Sequence, residues 1–222
     1  GLFITGAGTV VVENSRLDSN RAGYSGGGIA TWSPLALHCT DTDIINNRAD
    51  LNSAGDGVGG GIAIMSADVV IRALTRSCVI TNNTAVNGGA CDAQYYAHVW
   101  LEGTGTNRLL LADNIALTNG GAFSQNLGCT SIISGDVVFE RNRALQGGGV
   151  YNGSNSYLAA QPAGGVSPSF YGNVTLVAGG ALFAAGIDSH VDFEGVRVGA
   201  IGAGNVSGDS PFNGFGGGII CF

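Results

Sequence analysis

A chain of 222 residues with 45% hydrophobic and only 11% charged side chains, 39 glycines and a formal net charge of −7 is not composed like a freely soluble helical or α/β domain. Its nine basic residues are all arginine and lie scattered, which argues against a nucleic-acid surface and against binding to anionic lipid. No apolar run approaches the ~18 residues of a membrane span, and the start Gly1-Leu2-Phe3 lacks an initiator Met or a basic leader, so the chain reads as a segment of a longer protein.

Residues 1–16 make a first half-coil around the strand-like run 9–12, Thr-Val-Val-Val. The first full unit, 17–29, then introduces a pattern that returns along the rest of the sequence. Its first half is an apolar residue three positions before an asparagine, with a small residue two positions after: Leu17/Asn20/Ala22, Ile44/Asn47/Ala49, Ile80/Asn83/Ala85, Leu111/Asn114/Ala116, Phe139/Asn142/Ala144 and Phe170/Asn173/Thr175, with Asn205 in a degenerate seventh copy. Its second half is a glycine doublet, Gly-Gly-(Gly or Ala)-apolar. The doublets are Gly26-Gly27, Gly59-Gly60, Gly88-Gly89, Gly120-Gly121, Gly147-Gly148, Gly179-Gly180 and Gly216-Gly217. A period of roughly 30 residues with variable insertions marks a solenoid. Two or three glycines per unit disfavour helix, and the runs 69–71, 137–139 and 174–177 are strand material.

Between the units, 30–43 carries Trp32, Pro34, His38 and Cys39 and reads as a loop or an irregular side of the coil. The Gly/Asp/Asn-rich piece 51–58 reads as a surface bulge. Residues 91–110 hold Tyr95, Tyr96, His98 and Trp100, for which core filling or interface packing is the expected role and a ligand platform the alternative. Further loops are expected at 126–134 and at the Ser/Ala/Pro-rich 153–169. The stretch 190–194, His-Val-Asp-Phe-Glu, alternates as a half-exposed strand does, before Gly195 and Val196 shift the phase; the last copy is stretched around Pro211.

These features predict an all-β chain, a right-handed parallel β-helix of about seven coils of roughly 30 residues, with 1–222 forming one domain. An asparagine at one point of every coil can take a left-handed backbone conformation and stack its amide on the next, about 4.8 Å above, which fixes register. The glycine doublets mark places of positive φ or of backbone passing close to backbone, and the apolar residue after each points inward.

The paired signatures resemble the Gly-Gly-Ala-(Ile/Leu/Val) and Phe-x-x-Asn motifs of the chlamydial polymorphic outer membrane protein repeat. The likeness runs from about Leu17 to Ile219; Phe-x-x-Asn is literal at Phe139 and Phe170, while Leu or Ile takes the first place elsewhere. The resemblance implies a β-helical extracellular passenger or stalk used in adhesion or surface architecture, and it implies no catalytic residues.

Polysaccharide lyases and hydrolases on this type of fold need carboxylate clusters with a basic partner, whereas Asp41/Asp43 and Asp192/Glu194 are the only pairs at strand spacing and no lysine accompanies them. No catalytic, cofactor-binding or metal-binding residues are therefore assigned, and an enzyme is the least favoured reading. The single calcium-like stretch 55–59, Gly-Asp-Gly-Val-Gly, reads as a loop, and Thr31, Thr84, Thr118 and Thr175 share no common position that would make an ice-binding face. Of Cys39, Cys78, Cys91, Cys129 and Cys221, four could pair between neighbouring coils in an oxidising compartment; alternatively Cys91 simply fills the apolar slot after its glycine doublet. Among the Asn-x-Ser/Thr sequons, Asn152 and then Asn82 are the candidate glycosylation sites.

The expected function is thus a structural segment of an extracellular, cell-surface protein or filament that self-associates through uncapped coil ends and weakly charged faces, or joins further coils of its parent chain. The alternative is an adhesin passenger whose loops bind a receptor or glycan.

Overall fold

The computed structural model describes residues 1–32, 35–50, 55–199, 204–207 and 217–222. It is all-β, with no helix among the described residues: a right-handed parallel β-helix of about six turns, about 31 residues apart. The seventh glycine block begins at Gly216, which lies outside the described residues together with Pro34, Pro211 and residues 51–54 of the bulge expected at 51–58.

From the third turn on, each turn lays down strands on four faces, and each face is one parallel sheet along the rod; among the described residues the first face has eight strands and the others seven, seven and five. One turn serves as the pattern: Cys91–Gln94 on the first face, His98–Gly103 on the second, Leu109–Ala112 on the third and Ile115–Asn119 on the fourth. The glycine doublet sits at the corner from the fourth face to the first, and the asparagine at the corner from the third to the fourth.

Two segments that read as loops from sequence, and one that reads as a loop or an irregular side of the coil, carry strands of the second face: Thr130–Ser134, Tyr157–Gln161 and Ala36–Thr40. The physical reason is pairing. Tyr157–Gln161 has weak β-formers, yet every residue is matched to the rung before it, Tyr157 on Thr130 through Gln161 on Ser134. A preformed rung supplies the hydrogen bonds, and Leu158 and Ala160 supply the inward side chains. The alternation expected at 190–194 is seen in the strand His190–Phe193.

The core is a set of columns. The apolar residue after each doublet is fully buried at Ile29, Ile62, Cys91, Phe123, Val150 and Leu182. The apolar residue before each ladder asparagine is equally buried at Ile44, Ile80, Leu111, Phe139 and Phe170. Phe139 and Phe170 stack with ring centroids 4.5 Å apart and planes 4° from parallel, the separation that strand spacing imposes on identical side chains in successive rungs.

Candidate functional site

The asparagines form one continuous column. Asn20 donates its backbone and side-chain N–H groups to Asn47 Oδ1, both at 2.9 Å, and the same double donation repeats from Asn47 to Asn83, Asn83 to Asn114, Asn114 to Asn142, Asn142 to Asn173 and Asn173 to Asn205. The second hydrogen on each amide nitrogen turns back to the previous coil. Asn114 Nδ2, for example, donates to Ile80 O at 2.9 Å. Every donor and acceptor of the amide is therefore used, in sites where Asn83, Asn114, Asn142 and Asn173 have no exposed surface.

The left-handed residue at this corner is the one before the asparagine, which corrects the sequence-based expectation. Ser19, Asn46, Asn82, Asp113, Arg141 and Gly172 have φ of 58°, 57°, 55°, 54°, 52° and 64°. Turning that residue frees the following asparagine to point inward, where its amide faces the next amide in the column. The residue type at the left-handed position varies, so no motif marks it in the sequence.

The two glycines of a doublet do different work. Gly120 has φ +62°, which L side chains rarely adopt, while at Gly121 a Cβ would lie 2.6 Å from Arg143 N and 2.8 Å from Arg143 O, both backbone atoms of the next coil. The first glycine is thus required both by conformation and by the chain folding back over it, where a Cβ would lie 2.2 Å from Phe123 O, and the second by the closeness of the rungs.

The residue after each buried apolar one lies over this glycine corner, and it is small in the early coils: Ala30, Ala63, then Asp92 and Ser124. Asp92 is almost completely enclosed, and its Oδ2 accepts 2.7 Å from Gln94 Nε2. Burial pushes its carboxyl up from 3.8 to about 6, with hydrogen bonds from Ser124 and Gln94 opposing the rise. A raised carboxyl costs stability once it ionises. The penalty is absent below the unfolded value of 3.8, grows as pH climbs from there, and is complete above about 6. Asp92→Asn should therefore raise stability at pH 7 by up to about 3 kcal/mol and flatten the loss between acid and neutral pH, as read by urea unfolding across that range.

Asp41 and Asp43, the first carboxylate pair, staple neighbouring corners. Asp41 accepts from Leu74 N at 2.7 Å and from Thr75 Oγ1 at 2.5 Å, and Asp43 pairs with Arg76 at 3.1 Å. Burial acts to raise the Asp41 carboxyl, but the Thr75 hydroxyl and the Leu74 and Thr75 N–H groups outweigh it and hold the pKa below its ordinary value. Asp192 and Glu194, the second pair, are exposed.

All five cysteines are free thiols, so the pairing between coils is not formed. Cys39, Cys78, Cys91 and Cys129 are buried. Desolvation pushes Cys39 and Cys78 up to about 12 and Cys129 to about 11, and raises Cys91 as well. Such thiols pack as small apolar groups and present no thiolate.

Asn152 is corrected as a glycosylation acceptor. It has no exposed surface, and its Nδ2 is engaged by Ser189 Oγ at 2.9 Å and His190 O at 3.0 Å, while its Oδ1 accepts from Gln125, whose other amide atom takes the Ser131 hydroxyl. The sequon describes only three residues of chain and carries no information on burial. Asn82 is exposed, beside the ladder.

The aromatic cluster does not fill the core. Tyr95 and Tyr96 are 51% and 76% exposed at the corner between the first and second faces, and Trp100 stands on the outer side of the second face, half-buried between Val70 and Ile132. On the fourth face Ile115, Leu117 and Leu145 point outward and border an apolar groove with Leu176. Sequence reading missed this patch, although its signal was there, in apolar residues one and three positions after Asn114 and Asn173.

No known protein family, curated protein or solved structure matches the chain.

Proposed function

We propose that this chain is a structural segment of an extracellular, cell-surface protein or filament of the chlamydial polymorphic outer membrane protein type, working as a rod rather than as a catalyst. The observation that carries this reading is the unbroken amide column from Asn20 to Asn205, which commits the most regular polar groups in the chain to holding coils together. The repeated positions are spent on stacking, and a stack of this kind extends by adding further coils.

Self-association then has two routes. One is end to end, coil upon coil, since a stack built on one shared amide column extends by repeating that column. The second route is lateral, through the fourth face, where Leu117 is 62% exposed and Ile115 43%.

Negative-stain electron microscopy of the native material is the test. The reading expects rods or fibres, with Leu117→Asp dispersing bundles into single rods. Discrete globular particles that never associate at any concentration would overturn it. A second reading, an adhesin passenger that binds a receptor or glycan through loops, is favoured by the exposure of Tyr95 and Tyr96.

A further inference from the structure

The second face is laid out in three lanes that run along the rod. Its middle lane is apolar over consecutive rungs, with Trp100 registered on Val70 to one side and Ile132 to the other. Hydrogen-bonding groups occupy the lanes on both sides. One contains the pair His98 Nδ1–Asp68 Oδ1 at 2.8 Å, and the other the pair Arg72–Glu102 at 3.1 Å. The indole is tilted 59° from the His98 ring at a centroid distance of 6.1 Å, so its outer side is not capped by the imidazole.

We infer that this face is a docking platform for a neutral, extended, β-linked polysaccharide lying along the rod axis over Trp100. The chemistry matches lane by lane. A pyranose ring presents apolar C–H groups on its faces and hydroxyls at its edges, so a chain laid on the middle lane stacks its rings on the indole and directs its hydroxyls to the polar lanes. Arg72 and Glu102 offset each other's charge across the rungs and Asp68 adds a carboxylate, so the platform has no positive field that would draw a polyanion. An added peptide strand is excluded, because the backbone groups of His98–Gly103 are already paired on both sides, to Asp68–Ala73 and to Thr130–Ser134, and β-addition needs a free edge. The inference goes beyond the scaffold reading and is independent of it, since microscopy decides one and ligand titration the other.

The test uses the full chain in the Trp32→Phe background, so that Trp100 is the only indole, and follows its fluorescence during titration with cellohexaose, mannohexaose and an oligogalacturonate of equal length. The expected result is a saturable change with at least one neutral hexasaccharide and none with the acidic one. Trp100→Ala, measured by calorimetry in the unmodified background, should weaken that binding by about tenfold or more with an unchanged melting temperature, and Trp100→Phe should restore part of it. Absence of binding by both neutral probes, preference for the acidic one, or undiminished affinity in Trp100→Ala would overturn the inference, as would burial of Trp100 solely by contact with a second copy of the chain.

Discussion

Replacing Asn114 by Asp should abolish the fold or lower its stability by more than about 5 kcal/mol in urea unfolding. The substitution keeps size and shape and changes two hydrogens. In the native chain Asn114 Nδ2 donates to Ile80 O and to Asn142 Oδ1, and its Oδ1 accepts twice from Asn83. A carboxylate would set an oxygen against both acceptors and bring a charge into a site with no exposed surface. Asn114→Ala should be milder, at about 4 kcal/mol, because it removes four buried hydrogen bonds without adding repulsion. The same changes at Asn20, where the column is half-buried, should cost clearly less.

Gly121→Ala is expected to cost about 4 kcal/mol or more, although it adds a single methyl group. The new carbon would fall 2.6 Å from Arg143 N, and the other nearby atoms are also backbone of the next coil, so no side chain can swing away to make room. Two rungs would have to separate, which breaks their ladder on at least two faces. Gly23→Ala is the matched control: nothing lies within 4 Å of the added carbon there, and the change should be neutral or slightly stabilising. Thermal unfolding of the two variants side by side reads the difference.

The architecture was legible in the sequence wherever one residue type recurs at one point of the coil. Asparagine and glycine are nearly irreplaceable at their positions, the first because both of its amide hydrogens are committed and the second because backbone stands where a Cβ would go, so each leaves a periodic mark. The left-handed residue before the asparagine leaves none. Ser19, Asn46, Asp113, Arg141 and Gly172 share a φ but no side-chain chemistry, and only the backbone reveals the position.

The second-face strands at 36–40, 130–134 and 157–161 were read as loops, the first of them as a loop or an irregular side of the coil, for a related reason. Their order comes from the rungs above and below, a long-range cause that a local run such as Tyr157–Gln161 does not express. Parity explains the aromatics. Val99 and Leu101 point inward, so Trp100 between them must point out, yet a large apolar residue taken alone suggests burial. At the candidate site, the carboxylates at 41 and 43 stood out by spacing, whereas their work as corner staples depends on a loop more than 30 residues away. Asn152 was misjudged because its environment is built by Gln125, Ser189 and His190, from three different strands or corners.

The central claim is that the coils are held in register by a single shared column of buried amides. Its most direct measurement is the urea-unfolding free energy of Asn47→Ala, Asn83→Ala, Asn114→Ala, Asn142→Ala and Asn173→Ala, each made singly, with exposed Asn82→Gly, which keeps the left-handed backbone, as the reference. The account predicts a loss of several kcal/mol at every column position, about 3 or more, and less than about 1 at Asn82. Column variants that unfold like the Asn82 variant would contradict it.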